Sequence, residues 1–223
     1  PSNASWTSTL KELTLHVNAP GPMQSPWLSW LASFPNLIDL ELCLVSSSSQ
    51  RTTAVTPAHT SAHMPELPLK LRRVALSGLY IDRKLRAALR KLEQLRCLDL
   101  TLCRAPKLFE VFEDASFGTS LESLTITSTF VFHKHAEQTL TAIAATCGAT
   151  LQHLVMVNDF WADCSGAPLQ RMTALRLLRC GCGPLDFSAT EFGDLAGFLA
   201  HLRDSGVDAV KNATPNPLAV AIP

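Results

Sequence analysis

The apolar positions of this chain recur in one short order: Leu, two variable residues, an aliphatic residue, one variable residue, a second aliphatic residue. It appears as "LKELTL" from Leu10, "LIDLEL" from Leu37, "LRRVAL" from Leu71 and "LRCLDL" from Leu95. It continues as "LESLTI" from Leu121, "LQHLVM" from Leu151 and "LRLLRC" from Leu175. The seven copies start 27, 34, 24, 26, 30 and 24 residues apart. Within each copy the last apolar positions alternate, which predicts a short strand with one buried face. A parallel neighbour needs a crossover of roughly 12 residues or more, and this spacing leaves room for one.

The segments between copies read as helical crossovers. "SPWLSWLASF" offers Ser25 as N-cap and Pro26 at the first helical position. "DRKLRAALRKLEQL" begins at Asp82 and places Leu85, Leu89 and Leu92 on one stripe. "APKLFEVFED" repeats the design with Pro106, Leu108, Phe109 and Phe112. "HAEQTLTAIAATCG" runs to a terminating glycine at Gly148, and "SATEFGDLAGFLAHLRDSG" closes at Gly206. Residues 46–68, rich in Ser, Thr and Pro without apolar periodicity, predict a mobile insertion that swells the second period.

Seven such hexamers at this period, each followed by a helix-capable segment, resemble a leucine-rich repeat protein over roughly residues 10–206. The resemblance implies an α/β fold: a right-handed solenoid with parallel strands on its concave face and helices on its convex face. It divides the chain into a repeat domain, 1–206, and a C-terminal cap or loose tail, 207–223. The family's ninth position is Asn or Cys, satisfying backbone groups as the chain leaves its strand. Asn18 and Cys103 match it, whereas Val45, Leu79, Thr129, Asp159 and Gly183 depart from it. The irregular spacing and cysteine content are most similar to the divergent repeat domains of fungal-type F-box proteins. "MPELPLKLRRVALSGLY" faintly echoes an F-box opening, but the third repeat already claims Leu71, Val74 and Leu76, so this chain holds no F-box.

The residues between the leucines are expected on the concave face, which solenoids use to bind macromolecules. The first two repeats supply Glu12, Thr14, His16, Asp39, Glu41 and Cys43. The middle ones supply Arg73, Ala75, Ser77, Cys97, Asp99, Thr101, Ser123, Thr125 and Thr127, and the last two His153, Val155, Val157, Leu177 and Arg179. The surface thus runs from acidic, through small hydroxyls, to apolar. Val155, Val157 and Leu177 are expected to adjoin one another and seat a partner's apolar anchor. The tail "NPLAVAIP" alternates Leu218, Val220 and Ile222 and is expected to extend the sheet or hang loose.

Composition narrows the function further. Lys plus Arg equals Asp plus Glu, 19 against 19, so net charge favours neither nucleic acid nor an acidic membrane as partner. No apolar run approaches the roughly 18 residues of a spanning helix. Seven scattered cysteines without framework spacing predict reduced, metal-free thiols, and "PSNASWTSTLKEL" lacks the order of a signal peptide. The expected location is cytoplasmic or nuclear. The chain lacks HExxH, GxSxG, a phosphate loop and a dinucleotide fingerprint, so the expectation is a non-enzyme without cofactor. It is read as binding a protein partner, as a monomer in isolation, without nucleic acid or membrane. Two alternatives are weaker. A Cys/His enzyme or metal site could draw on Cys180, Cys182, Cys147, Cys164 and His153, but offers only one tight pair. Residues 70–96 carry nine Lys/Arg, and the helix at 83–91 could bind nucleic acid. Glu110, Glu113 and Asp114 on the next crossover point instead to pairing between helices. His133 and His135, and likewise His59 and His63, read as solvated.

Overall fold

A computed structural model describes residues 7–18, 26–45, 66–113, 117–157, 167–181, 209–211 and 218–221. Each repeat copy contributes one strand: β1 Glu12–Asn18, β2 Asp39–Val45, β3 Arg73–Ser77, β4 Cys97–Thr101, β5 Ser123–Thr127, β6 His153–Val157 and β7 Leu177–Gly181. Each pairs in parallel with the next in chain order, without slippage. Leu13, Leu40, Val74, Leu98, Leu124, Leu154 and Leu178 therefore lie in one line across the sheet. Beyond β7 the sheet continues through β9 (Leu218–Ala221) and β8 (Ala209–Lys211), both antiparallel. Leu218 and Val220 of the tail thus extend the sheet.

Backbone hydrogen bonds hold this register at both strand ends. At the entrance, the carbonyl of the second motif position accepts from two amides of the next copy. Lys11 O takes Ile38 and Asp39 at 2.7 and 3.0 Å, and Ile38, Arg72, Arg96 and Glu122 repeat the arrangement. At the exit, the eighth-position amides of Gly78, Leu102 and Ser128 donate to Thr101, Thr127 and Val157 carbonyls at 3.0, 2.9 and 2.8 Å. All three have positive φ, +72°, +53° and +50°. The chain leaves successive strands by the same left-handed step, open to glycine and strained for Leu102 and Ser128. At Gly78 a Cβ would also lie 2.5 Å from the Leu44 carbonyl.

The ninth position departs from expectation. Cys103 donates its Sγ–H to Leu76 O at 3.2 Å, one repeat back, and Thr129 Oγ1 donates to Leu100 O at 2.7 Å, again one repeat back. Thr129 also accepts from the Cys103 amide at 3.3 Å. The position read as a mismatch therefore does the same work, because the geometry asks for a short buried donor and a hydroxyl provides one.

Helices α1 (Arg83–Arg90) and α2 (His133–Cys147) form two crossovers. Asp82 caps α1, accepting from Leu85 N at 2.8 Å, and Leu85, Leu89 and Leu92 are buried as their spacing predicts. Pro26–Ser33, Leu108–Val111 and Ala167–Arg171 are 3-10 helices, so "SPWLSWLASF" and "APKLFEVFED" do not form the expected α-helices. At the latter, the pairs Leu108/Val111 and Phe109/Phe112 are all buried, an i,i+3 pattern that matches three residues per turn. Gly148 ends α2, yet with φ −58° rather than left-handed. It is glycine for space, since a Cβ there would overlap the Ala144 and Arg171 carbonyls.

The buried side chains of strands and crossovers make one cluster, from Leu31 to Leu175. Leu67 belongs to it, so the end of the predicted 46–68 insertion is packed. The remainder of that insertion, the helix ending at Gly206, Ser25, Asp114, His59, His63, Cys164, Cys182 and Ile222 lie outside the described residues. Among the described residues no helix is long and apolar enough to cross a membrane.

Candidate partner-binding face

Because inward leucines alternate with outward residues, the pairing register arranges the alternate strand positions in three rows across the sheet. The first is Glu12, Asp39, Arg73, Cys97, Ser123, His153 and Leu177. The second is Thr14, Glu41, Ala75, Asp99, Thr125, Val155 and Arg179, and the third His16, Cys43, Ser77, Thr101, Thr127, Val157 and Gly181. From Glu12 to Val157 every outward member is exposed or partly exposed. All the candidate residues read from the sequence thus fall on one face. For Leu177 and Arg179 this rests on strand position alone.

The register corrects one grouping. Leu177 pairs with His153, and Val155 with Arg179, so Leu177 is a diagonal neighbour of Val155 and sits four positions from the row of Val157. The apolar patch centres on Val155 and Val157, flanked by His153 and the Arg179 position.

Local chemistry pre-orients several members. Arg73 donates to Asp39 at 3.1 Å, and this hydrogen bond, with the charge behind it, raises the guanidinium pKa. With Arg73 half-exposed, the pair orients side chains more than it stabilises the fold. Thr101 Oγ1 donates to Asp99 at 2.7 Å, which leaves Asp99 with acceptor capacity facing out. Cys97 is partly shielded; burial and then the Glu122 charge push its thiol up, away from the reactive thiolate. Cys103 and Cys147 are pushed up to about 12 by burial. Cys43, Cys97, Cys103 and Cys147 are unbridged, and among the described residues no cluster of three His, Cys, Asp or Glu could hold a metal ion.

The basic stretch is largely paired. Arg86, one of the basic residues of the predicted 83–91 helix and off its leucine stripe, is nonetheless buried: Nε meets Glu110 at 3.0 Å and Nη1 donates to Ile81 O at 2.8 Å. Burial opposes the Glu110 charge, but Arg86 and Lys107 outweigh it and hold the carboxyl below its ordinary range. Arg90 donates to the Glu110 carbonyl and approaches Glu113 at 4.0 Å; Lys91 pairs with Glu66 and Arg96 with Glu122. The contacts of Arg86, Arg90 and Lys91 join neighbouring crossovers, and Arg96–Glu122 joins neighbouring strand entrances.

The sequence reading missed an aromatic edge at the strand exits. Tyr80, Arg104 and Phe130, the tenth motif positions of three successive repeats, are joined by parallel bridges. His135, expected to be solvated, lies with its ring 5.0 Å from Phe109 and 6.2 Å from Phe132. The repeated tenth position was a signal available in the sequence.

No protein-family model matches the chain, and no curated protein matches it.

Proposed function

We propose that the chain is a leucine-rich repeat solenoid acting as a non-catalytic recognition domain, binding a protein partner on the outward face of its sheet. The observation that carries this reading is the three-row array. Seven strands in unbroken register present acidic, hydroxyl and apolar side chains in fixed order, backed by a continuous core. Such a preorganised surface suits an extended protein ligand more than a small molecule. Glu12, Thr14, Asp39, Glu41, Arg73, Ser77, Asp99, Thr101, Ser123 and Thr125 set register along the partner. His153, Val155, Val157, Leu177 and Arg179 receive its apolar anchor. The cysteine-rich, irregular repeats carry the analogy to F-box adaptors, in which this domain is the substrate-receiving part of a cytoplasmic or nuclear ubiquitin ligase.

Photocrosslinking tests the face. A photoreactive residue at Thr125 should yield a discrete protein adduct in cells, whereas one at the exposed Glu93, between α1 and β4, should not. Equal labelling from both positions, or none from Thr125, contradicts the proposal.

A further inference from the structure

Beyond the outward face, we infer that the strand-exit edge of repeats three to five is a second docking site, for an acidic protein segment carrying an apolar or aromatic anchor. Three of the four large hydrophobic side chains left exposed among the described residues gather in this short span: Leu102 at 52%, Phe130 at 46% and Phe132 at 41%. Leu102 sits in the left-handed step between β4 and Arg104, with φ +53°, where glycine would be unstrained. A strained position that exposes a leucine calls for a use outside the fold.

The edge is built rather than loose. Backbone bonds of 2.8 Å tie Arg104 to Leu79 and Phe130 to Cys103. Phe130 and Phe132 meet edge to face, 5.3 Å between centroids. Arg104 lies over Phe130 at 5.3 Å and Lys134 over Phe132 at 5.9 Å. Neither cation forms an ion pair among the described residues, in contrast to Arg86, Arg90 and Lys107 on the crossover side. Two ion-pair-free cations stacked on exposed rings complement a carboxylate beside an apolar group. Single-stranded nucleic acid would instead need open ring faces for base stacking, and here a cation lies over one face of each ring.

The test is selection of a randomised heptapeptide library on the full chain, followed by binding of the selected peptide to variants. The selected peptides should carry two or more Asp or Glu around a Phe, Trp or Leu, and bind more weakly as salt rises. Phe132→Ala, Arg104→Glu and Lys134→Glu should each weaken binding about tenfold or more, with melting temperatures unchanged. Lys134→Glu, at the exposed start of α2, keeps the test intact if Arg104→Glu disturbs the bridges. Val157→Asp, on the outward face, should leave this binding unchanged, which separates the edge from the function proposed above. The inference is overturned if nothing is enriched, if the selected peptides are basic or uncharged, or if they bind all three edge variants as well as wild type. Binding of an oligouridine 12-mer with the same Phe132 dependence would equally overturn it, in favour of RNA.

Discussion

Strands β1 and β4 carry the same motif and have different fates. In β4, Leu98 and Leu100 are 1% and 0% exposed, with a strand on either side and crossovers packed beneath. In β1, Leu13, Leu15 and Val17 are only partly buried against the same core, and among the described residues β1 pairs with β2 alone. The hexamer thus specifies which side chains turn inward, whereas neighbours on both sides decide how completely they are covered. Stability should therefore concentrate in the middle repeats.

The largest effect expected from this contrast comes from paired truncations. Leu98→Ala should destabilise by about 2–5 kcal/mol and Leu15→Ala by about 1 kcal/mol, read by denaturant unfolding. Equal losses would break the comparison. Next comes Arg86→Ala, which leaves Glu110 and the Ile81 carbonyl without their buried partner and should cost about 2–4 kcal/mol. The exposed Arg96→Ala should cost less than about 1 kcal/mol. A null result at Arg86 would mean that the crossovers do not depend on this pair.

Titration sharpens the same contrast. Cys103 and Cys147 ionise only near 12 in the fold, while an unfolded thiol ionises at about 8.5. The unfolded state then binds fewer protons, so stability should fall as pH rises from about 8.5 towards 12, by up to about 1.4 kcal/mol per pH unit for each thiol. Cys103→Ser and Cys147→Ala should flatten that slope. Glu110 acts in the other direction. Its depressed folded pKa contributes stability above about 4.3, lost as pH falls through the folded value. Glu110→Gln should remove that acid sensitivity. The smallest expected effect is at the strained exit step. Leu102→Gly should be neutral or stabilising by about 0.5 kcal/mol, since relief of the left-handed strain exceeds glycine's extra unfolded entropy.

The strand register was legible because alternate leucines leave a strand only one way to face, and a one-residue slip would expose them all. The rows of Asp39, Asp99, Thr125 and Val155 followed from that alone. Other features depended on groups distant in sequence. Arg86 reads as a solvated helix residue until Glu110, 24 positions later, is placed beside it. Thr129 reads as a broken motif until the Leu100 carbonyl is found waiting for a donor. The 3-10 crossover at Leu108–Val111 buries i,i+3 pairs on two faces, which a search for α-helical stripes does not detect. The grouping of Leu177 with Val157 failed because being adjacent in repeat order is not being opposite in register.

The outward face as recognition surface is tested most directly by Val157→Asp, assayed against the protein crosslinked from Thr125. The account predicts at least a tenfold loss of affinity, with a melting temperature within about 2 °C of wild type, since Val157 points outward and is only partly buried. Unchanged affinity would remove the patch from the interface, and a collapse of the melting temperature would place Val157 in the core and contradict the register.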